Sequence, residues 1–453
     1  MTTAEVHEPQ SAKSIFGDSP DDWHVDRIKD HLDAIVGGEW GEDPDAHDEG
    51  VVIPVIRVAD IRGLDVAVKD PTVRRIKESK LVGRLINQQT ILLEKSGGGE
   101  LTPVGRAVRV SMLQFAAICS NFMAKIDCNR AVDPSFLTYT FDALYSCCVN
   151  NASIQQTTGI QNLRVTDYLN TKVAFPHRTE QQRIASYLDA SCTALDAVMC
   201  AKRQQLESLD ALMLSLIHQA VTQGLNADVK KKPSKLDWLT LVPEHWQERQ
   251  IKRLCSLVRG QFTHRPRNDP ALYDGPYPFV QTGDITSAKK YILTYSQTLN
   301  ELGLSVSKQF PRGTLVMSIA ANIGDVAILD FEACFPDSMI GMIPGHKTDL
   351  NYLYYLMRAM KSIMLRSAVL STQLNLNYVR IGTNFAAFPP RKEQEAIAEY
   401  LDAKEKEVLA VKETLNQQIE TLLAYRKSLI HECVTGQRRI TEDDVKHLSM
   451  TTH

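Results

Sequence analysis

Residues Phe175–Thr222 recur 213 positions later as Phe388–Thr435, and 24 of the 48 gap-free positions are identical. A repeat this long constrains the fold more than any composition does, because one module has been used twice. Each copy opens with a Phe-Pro pair and an Arg-x-Glu-Gln box. Each then continues without Gly or Pro, from His177 to Gln223 and from Arg391 to Thr435. Pro176 and Pro389 stand where a helix can start, since proline lacks an N–H that a first turn leaves unpaired. Apolar residues recur mostly at steps of three, four or seven. The first series is Ile184, Leu188, Leu195, Val198, Leu206, Leu209, Met213 and Leu216. The second is Ile397, Leu401, Val408, Val411, Leu415, Ile419, Leu422 and Leu429. Such spacing makes a seam on one side of a helix. Gly224 and Gly436 stand just beyond, as helix stops. A run of roughly 45 residues would span on the order of 65 Å, far beyond an ordinary globular helix. The two copies are therefore expected to pack on each other as a coiled coil. Identity at Glu180, Gln181, Tyr187, Asp189 and His218 argues against two unrelated core helices, since a bare seam requires none of these polar groups.

Weaker matches extend the repeat to the whole chain. Pro20-x-x-Trp23-x4-Ile28-Lys29 followed by Gly37 matches Pro243-x-x-Trp246-x4-Ile251-Lys252 followed by Gly260. Pro54-Val-Ile-Arg-Val-Ala-Asp60-Ile61 matches Pro278-Phe-Val-Gln-Thr-Gly-Asp284-Ile285. Thr90-Ile-Leu-Leu-Glu matches Thr314-Leu-Val-Met-Ser, Asp133-x-x-Phe136-Leu137 matches Asp349-x-x-Tyr352-Leu353, and Asn162-Leu163 matches Asn375-Leu376. Their common order gives an α+β chain of two mixed α/β domains alternating with two long helices. The boundaries read as an acidic leader (1–19), a first domain (20–174), a central helix (175–224), a linker (225–242) with the polar stretch Lys230–Ser234, a second domain (243–387), a second long helix (388–436) and a tail (437–453). Strands are expected at Val51–Val58, Thr90–Leu93, Phe279–Thr282, Thr314–Ile319 and Val326–Leu329, and short helices at Phe136–Val149 and Tyr352–Leu370. A shared frame carrying two different readers is the simplest physical account.

The 453 residues suffice for two or three domains. No stretch is expected to reach the roughly 20 apolar residues of a membrane span, and the N-terminus shows no signal peptide. The nine cysteines are scattered and form no C-x-x-C, which argues for a reducing cytoplasm and against zinc or disulfides. Net charge is −3, but residues 1–50 alone hold 14 Asp and Glu against 3 Lys and Arg. The remainder carries 48 basic against 40 acidic residues, so an acidic leader masks a mildly basic body.

The boxes Phe175–Asp189 and Phe388–Asp402, together with Trp238-x4-Pro243-Glu244-His245-Trp246, resemble the specificity subunit of type I restriction–modification systems over essentially the whole chain. The resemblance implies two target-recognition domains, each reading half of an interrupted sequence in double-stranded DNA. It implies that the long helices pair antiparallel as a ruler between half-sites and dock two methyltransferase (modification) subunits, with motor–nuclease restriction subunits joining them. S-adenosylmethionine, ATP and Mg would then sit on those partners, with no cofactor or metal on this chain. Two departures stand out: Ile15 occupies the place of Trp238, and the acidic run Glu39–Glu49 is unusual.

Missing chemistry agrees with a non-catalytic role. There is no Asn/Asp-Pro-Pro-Tyr/Phe tetrapeptide for amino methylation, no phosphate loop, no H-E-x-x-H and no G-x-S-x-G. Ser96–Gly99 reads as a flexible loop, or else as a backbone approach to phosphate. His218 and His431, at equivalent helix positions, read as packing groups. What the domains offer is cationic. Residues 62–110 hold ten Lys and Arg against five Asp and Glu. The DNA-binding candidates are Arg74, Arg75, Lys77, Lys95, Arg106 and Arg109 in the first domain. In the second they are Arg259, Arg265, Arg267, Lys289, Lys290, Lys308 and Arg312. Such cations fix position on phosphates, and Arg, Asn or Gln must then read bases. Asn87, Gln88, Gln89, Gln261, Gln281 and Asn322 have suitable chemistry. The alternative reading is a coiled-coil protein scaffold that does not read DNA. A nuclease would need an Asp…Glu-x-Lys constellation that finds no place on a strand.

Overall fold

The computed structural model describes residues 13–46, 49–99, 101–111, 113–157, 159–236, 238–320, 322–367 and 378–451. Asn375, Leu376 and the leader before residue 13 lie outside the described residues. The chain divides into two compact units, one of residues 1–202 with 417–453 and one of 203–416.

In the first unit, strand His24–Arg27 pairs antiparallel with Lys172–Phe175. A four-stranded sheet follows in the order Leu32–Gly37, Met123–Cys128, Thr90–Glu94, Ala107–Arg109. Every residue of Thr90–Glu94 is buried, as expected of a strand covered on both faces. A second sheet sets Ile118–Cys119 parallel to Val51–Ile56, with Val73–Ile76 antiparallel on the other side. Helix Pro134–Ser146 starts on Asp133, whose carboxylate accepts from the N–H groups of Ser135 and Phe136 at 3.0 and 3.1 Å.

The second unit repeats this plan. Gln247–Gln250 pairs with Phe385–Phe388. The main sheet runs Cys255–Arg259, Met339–Pro344, Leu315–Ser318, Val326–Leu329, Tyr291–Ile292. Tyr273–Phe279 meets Ala333–Cys334 in parallel, and helix Leu350–Ser367 follows Asp349. Hydrogen bonds fix the correspondence. Gly38 N–H donates to the Met123 carbonyl as Gly260 N–H does to Met339, and Glu39 N–H to Cys119 as Gln261 N–H to Phe335. The glycine matching Gly260 is thus Gly38, not Gly37. A side chain at either Gly38 or Gly260 would collide with carbonyl oxygens little more than 2 Å away.

Arg178–Gln223 and Arg391–Thr435 are single helices of 46 and 45 residues. Within the first unit, Arg438 donates to the Tyr187 hydroxyl (2.7 Å), Arg426 approaches Asp196 (3.7 Å) and Lys202 donates to Gln418 (2.7 Å). Rising numbers on one helix meet falling numbers on the other, so the segments run antiparallel. In the second unit Asp210 pairs with Lys412 (2.6 Å) and Gly224 abuts Glu393, with the same sense. The seam residues Ile184, Leu188, Ile397, Leu401, Leu415, Ile419 and Leu429 are buried. Leu195, Leu206, Leu209, Leu216, Val408 and Leu422 are half-buried. Val198 and Val411, equivalent positions of the two series, are instead 45% and 48% exposed.

Both helices stop on a left-handed glycine, Gly224 (φ 76°) and Gly436 (φ 77°). Trp246 packs on Gly224, and Trp23 packs on Gly436. The end of the second helix therefore serves the first domain as the end of the first helix serves the second.

Several expectations change. Phe279 ends a strand and Thr282 begins a short helix, because Gln281 N–H is captured by the Asp284 carboxylate at 2.7 Å. Ser96–Gly97 is a strand paired with Gln161–Asn162 rather than a flexible loop. The linker folds into a ribbon, Lys231–Pro233 against Leu241–Pro243. The first short helix ends at Ser146, and the second continues to Ser367, the last described residue before the stretch that holds Leu370. By length and composition the first long helix is apolar enough to cross a membrane, although its Ile184, Leu188, Met213, Ile217 and Val221 are buried in protein.

Candidate nucleic-acid interface

The Glu-Gln boxes do the same work twice. Gln181 Oε1 accepts from Asp133 N–H (2.7 Å), while Nε2 donates to the Ala131 and Pro176 carbonyls (3.2 and 2.9 Å). Gln394 Oε1 accepts from Asp349 N–H (2.8 Å), and Nε2 donates to the Lys347 and Pro389 carbonyls (3.1 and 2.8 Å). Both glutamines are fully buried. Each ties the start of a long helix to the start of its domain's shorter helix. About two turns later, Asp189 accepts from Tyr139 (2.7 Å) and from Arg109 (3.0 Å). Its equivalent Asp402 accepts from Tyr355 (2.5 Å) and pairs with Lys290. Burial first, and these carboxylates second, push both phenols well above the ordinary tyrosine range.

Each domain opens a cavity at the carboxyl ends of its parallel strand pair. In the first it measures about 370 Å³ and is lined by Trp40, Arg57, Ser120 and Phe122 among others. In the second it measures about 610 Å³ and is lined by Phe262, Gln281, Pro336 and Ser338 among others. The register above makes these positions equivalent, pair by pair. Arg57 is held by Asp60, with Nε at 3.3 Å and Nη2 at 3.0 Å from its carboxylate oxygens. Gln281 Nε2 donates to Gln297 Oε1 at 3.0 Å. Asp60 and Asp284 each accept the backbone N–H of the cavity residue, at 2.8 and 2.7 Å.

A model of the type I restriction–modification DNA specificity domain matches residues 20–208 and again 243–421. The chain belongs to this family. It is 22% identical to the type I restriction enzyme MjaX specificity subunit of Methanocaldococcus jannaschii, over 96% of this chain and 97% of that one. The MjaVIII specificity subunit of the same organism is also 22% identical, over 96% and 98%. A solved chain described under "complex assembly and conformational transition of the type I R-M system" superposes with a TM-score of 0.70 at 15% identity, covering 93% of this chain and all of that one. The HsdS subunit of Thermoanaerobacter tengcongensis gives 0.50 at 16%, covering 93% and 98%. The fold is therefore that of specificity subunits, with two recognition domains.

Within this specificity subunit the nominated cations divide into two sets. Many are engaged internally. Arg75 donates to the Gly50 and Pro44 carbonyls, and Arg74 to Gly41, so both clamp the acidic run Glu39–Glu49 where it is described. Arg106 pairs with buried Glu94 (2.8 Å), whose hydrogen bond raises its pKa further. Burial works against the Arg109 charge, but Asp189 and the nearby Tyr139 raise its pKa overall. Arg267 pairs with Asp337, Arg312 with Asp330, and Lys290 with Asp402. Arg259 donates to the Asp337 carbonyl, and Arg265 to Phe262 and His264. Lys77, Lys289 and Lys308 are exposed and Lys95 half-buried. Lys308 lies 6.0 Å from the Phe310 ring.

Among the polar nominees, Asn87 closes a turn by accepting from Gln89 N–H, and Asn322 donates to Thr286. Gln88, Gln89 and Gln261 are exposed. His218 and His431 make edge contacts with Trp238 (6.2 Å) and Phe16 (5.1 Å). Arg57 and Trp40 were not singled out from the sequence. The signal was present in the repeat, which sets Arg57 opposite Gln281 inside an otherwise matching segment.

Proposed function

We propose that this chain supplies sequence specificity to a type I restriction–modification complex without catalysing a reaction itself. Two recognition domains read the two halves of an interrupted duplex target. The observation that carries this reading is one frame used twice, clamped by Gln181 and Gln394, beneath surfaces that differ. Weak half-site binding gains from bivalency, because the second contact becomes intramolecular.

Two methyltransferase subunits are expected to dock on the long helices. Repeat-equivalent apolar residues stay exposed there, Val198 with Val411 and Leu212 with Tyr425. A surface that appears twice suits one partner taken twice. Restriction subunits would complete the assembly. S-adenosylmethionine, ATP and Mg would be bound by these partners, and the complex would work in the cytoplasm.

The deciding experiment is co-expression with a methyltransferase subunit, followed by mapping of methylated sites in host DNA. The expected result is a two-part motif with a fixed gap. One half should change when residues 245–388 are exchanged for those of another specificity subunit. A complex that forms but leaves no methylation pattern would favour the scaffold reading. Adding or removing one helical turn in both long helices should alter the gap and leave both half-site sequences unchanged. An unaltered gap would end the idea that the helices set the spacing.

A further inference from the structure

The two cavities occupy the same place in two domains that must tell different sequences apart. The parallel pair Val51–Ile56 and Ile118–Cys119 delivers Arg57 and Ser120–Phe122 at its carboxyl end. Its counterpart, Tyr273–Phe279 and Ala333–Cys334, delivers Gln281 and Pro336–Ser338. Ligands to open α/β sheets gather at strand carboxyl ends, because the backbone there leaves a crevice bounded by loops. Around this crevice the backbone is kept and the side chains are changed. Trp40 faces the role of Phe262, Phe122 that of Ser338, and Arg57 that of Gln281.

Resting on the DNA-recognition reading above, we infer that Arg57 and Gln281 are equivalent base-reading residues. Arg57 recognises a guanine in the first half-site, and Gln281 an adenine in the second. A guanidinium fits the O6 and N7 acceptors of guanine through two N–H groups, and a carboxamide fits the N6 donor and N7 acceptor of adenine. The hydrogen bonds in place leave those groups available. Asp60 takes Nε and one N–H of Nη2, which leaves Nη1 and the second Nη2 hydrogen as a parallel pair of donors. Gln297 takes one Nε2 hydrogen of Gln281, which leaves its carbonyl oxygen and one N–H.

The supporting bonds also hold these groups in place. Asp60 is 7% exposed and binds both the backbone and the side chain of Arg57. The guanidinium itself is partly exposed, where ion pairing contributes little to stability, so its orientation is the better reason for this geometry. In the second domain the Asp284 carboxylate fixes the backbone of Gln281 in the same way, and Gln297 orients the amide. Domains that share a frame can thus diverge in sequence preference by exchanging one residue over an unchanged support.

The test uses the complex of this chain with its methyltransferase, and duplexes bearing the mapped wild-type motif. Replacing one guanine of the first half by 7-deazaguanine removes the N7 acceptor. At one position this should weaken wild-type binding about tenfold or more, the loss expected of a broken bidentate pair. Arg57→Ala should bind the normal and the 7-deaza duplex equally, and still discriminate normally in the second half-site, which checks folding. Arg57→Lys should keep the salt dependence and weaken the guanine preference, because an ammonium lacks the planar fork of the guanidinium. Arg57→Gln should shift methylation toward adenine at that one position, and Gln281→Arg should shift one adenine of the second half toward guanine. If Arg57→Ala remains as sensitive as the parent to every 7-deazaguanine, or if both exchanges leave the motif unchanged, the assignment is wrong while the two-part motif stands. A wild-type complex without any two-part motif overturns the functional reading instead.

Discussion

The two recognition domains differ least where they meet the long helices and most at the open ends of their parallel strands. Gln181 and Gln394 make the same three hydrogen bonds in the same order, within 0.1 Å of one another. Asp189 and Asp402 each accept from a tyrosine and pair with a cation, but the cation is Arg109 in one case and Lys290 in the other. Farther along, both the charge and its partner change. Asp142 on the first domain's helix faces Arg426 at 3.9 Å, whereas Arg358 at the equivalent place faces Glu405 at 2.6 Å. Polar contacts that define the joint are kept in kind, and those that only fill it are free to change charge and partner. A scaffold built this way tolerates a new reader, because the joint does not depend on the reader's surface.

The largest test of that equivalence is the tryptophan at each domain's start. Trp246 and Trp23 are 1% and 5% exposed, each against the glycine that ends a long helix. Either Trp→Ala change should cost about 4 kcal/mol, from lost burial and the cavity left behind. Both are read by denaturant unfolding. Comparable losses support the circular correspondence of helix ends. A loss confined to Trp246→Ala would reduce the contact of Trp23 with Gly436 to incidental packing.

Next come the clamps. Gln394→Ala and Gln181→Ala each strand a backbone N–H, buried at Asp349 and partly buried at Asp133, and two carbonyls, at a cost of about 3 kcal/mol. Thermal unfolding of the two variants should give matching losses. A Glu replacement sharpens the point, because its neutral carboxyl keeps the acceptor and one donor and so loses one of the two donations. It should fall between the parent and the alanine variant at low pH, where the carboxyl is neutral.

How far these features were legible follows from what encodes them. The long helices were visible because the repeat preserved polar identities that no seam needs, and Gln181 stood out among them, although what it clamps did not. The internal engagement of cations was not. Arg75 reaches Pro44 and Lys290 reaches Asp402 across 31 and 112 residues, so only the folded chain shows that these charges are already partnered. The strand expected at Phe279–Thr282 failed because its apolar run crosses a capping point set by Asp284. Arg57 was hidden for a different reason: its signal in the repeat is a mismatch, to Gln281, inside an otherwise matching segment.

The smallest effect concerns Asp142 and its counterpart Arg358. Burial raises the Asp142 carboxyl above its ordinary value of 3.8, and Arg426 and Lys427 offset this only in part. A raised folded pKa means that the native state holds the proton more tightly than the unfolded chain does. The contribution of Asp142 is therefore most favourable in acid, and it is lost as pH rises through the folded pKa. In the second unit burial also opposes the charge of Arg358, but Tyr354 and Glu405 raise its pKa overall, and no proton is exchanged near neutrality. Asp142→Asn should accordingly flatten the stability profile of its unit above about pH 4, and at neutral pH stay within about 1 kcal/mol of the parent or exceed it. Urea midpoints of parent and variant across that range decide the matter. If the parent gains on the variant as pH rises, the contact with Arg426 outweighs desolvation. Both positions would then be held by attraction to a long helix, despite their opposite charges.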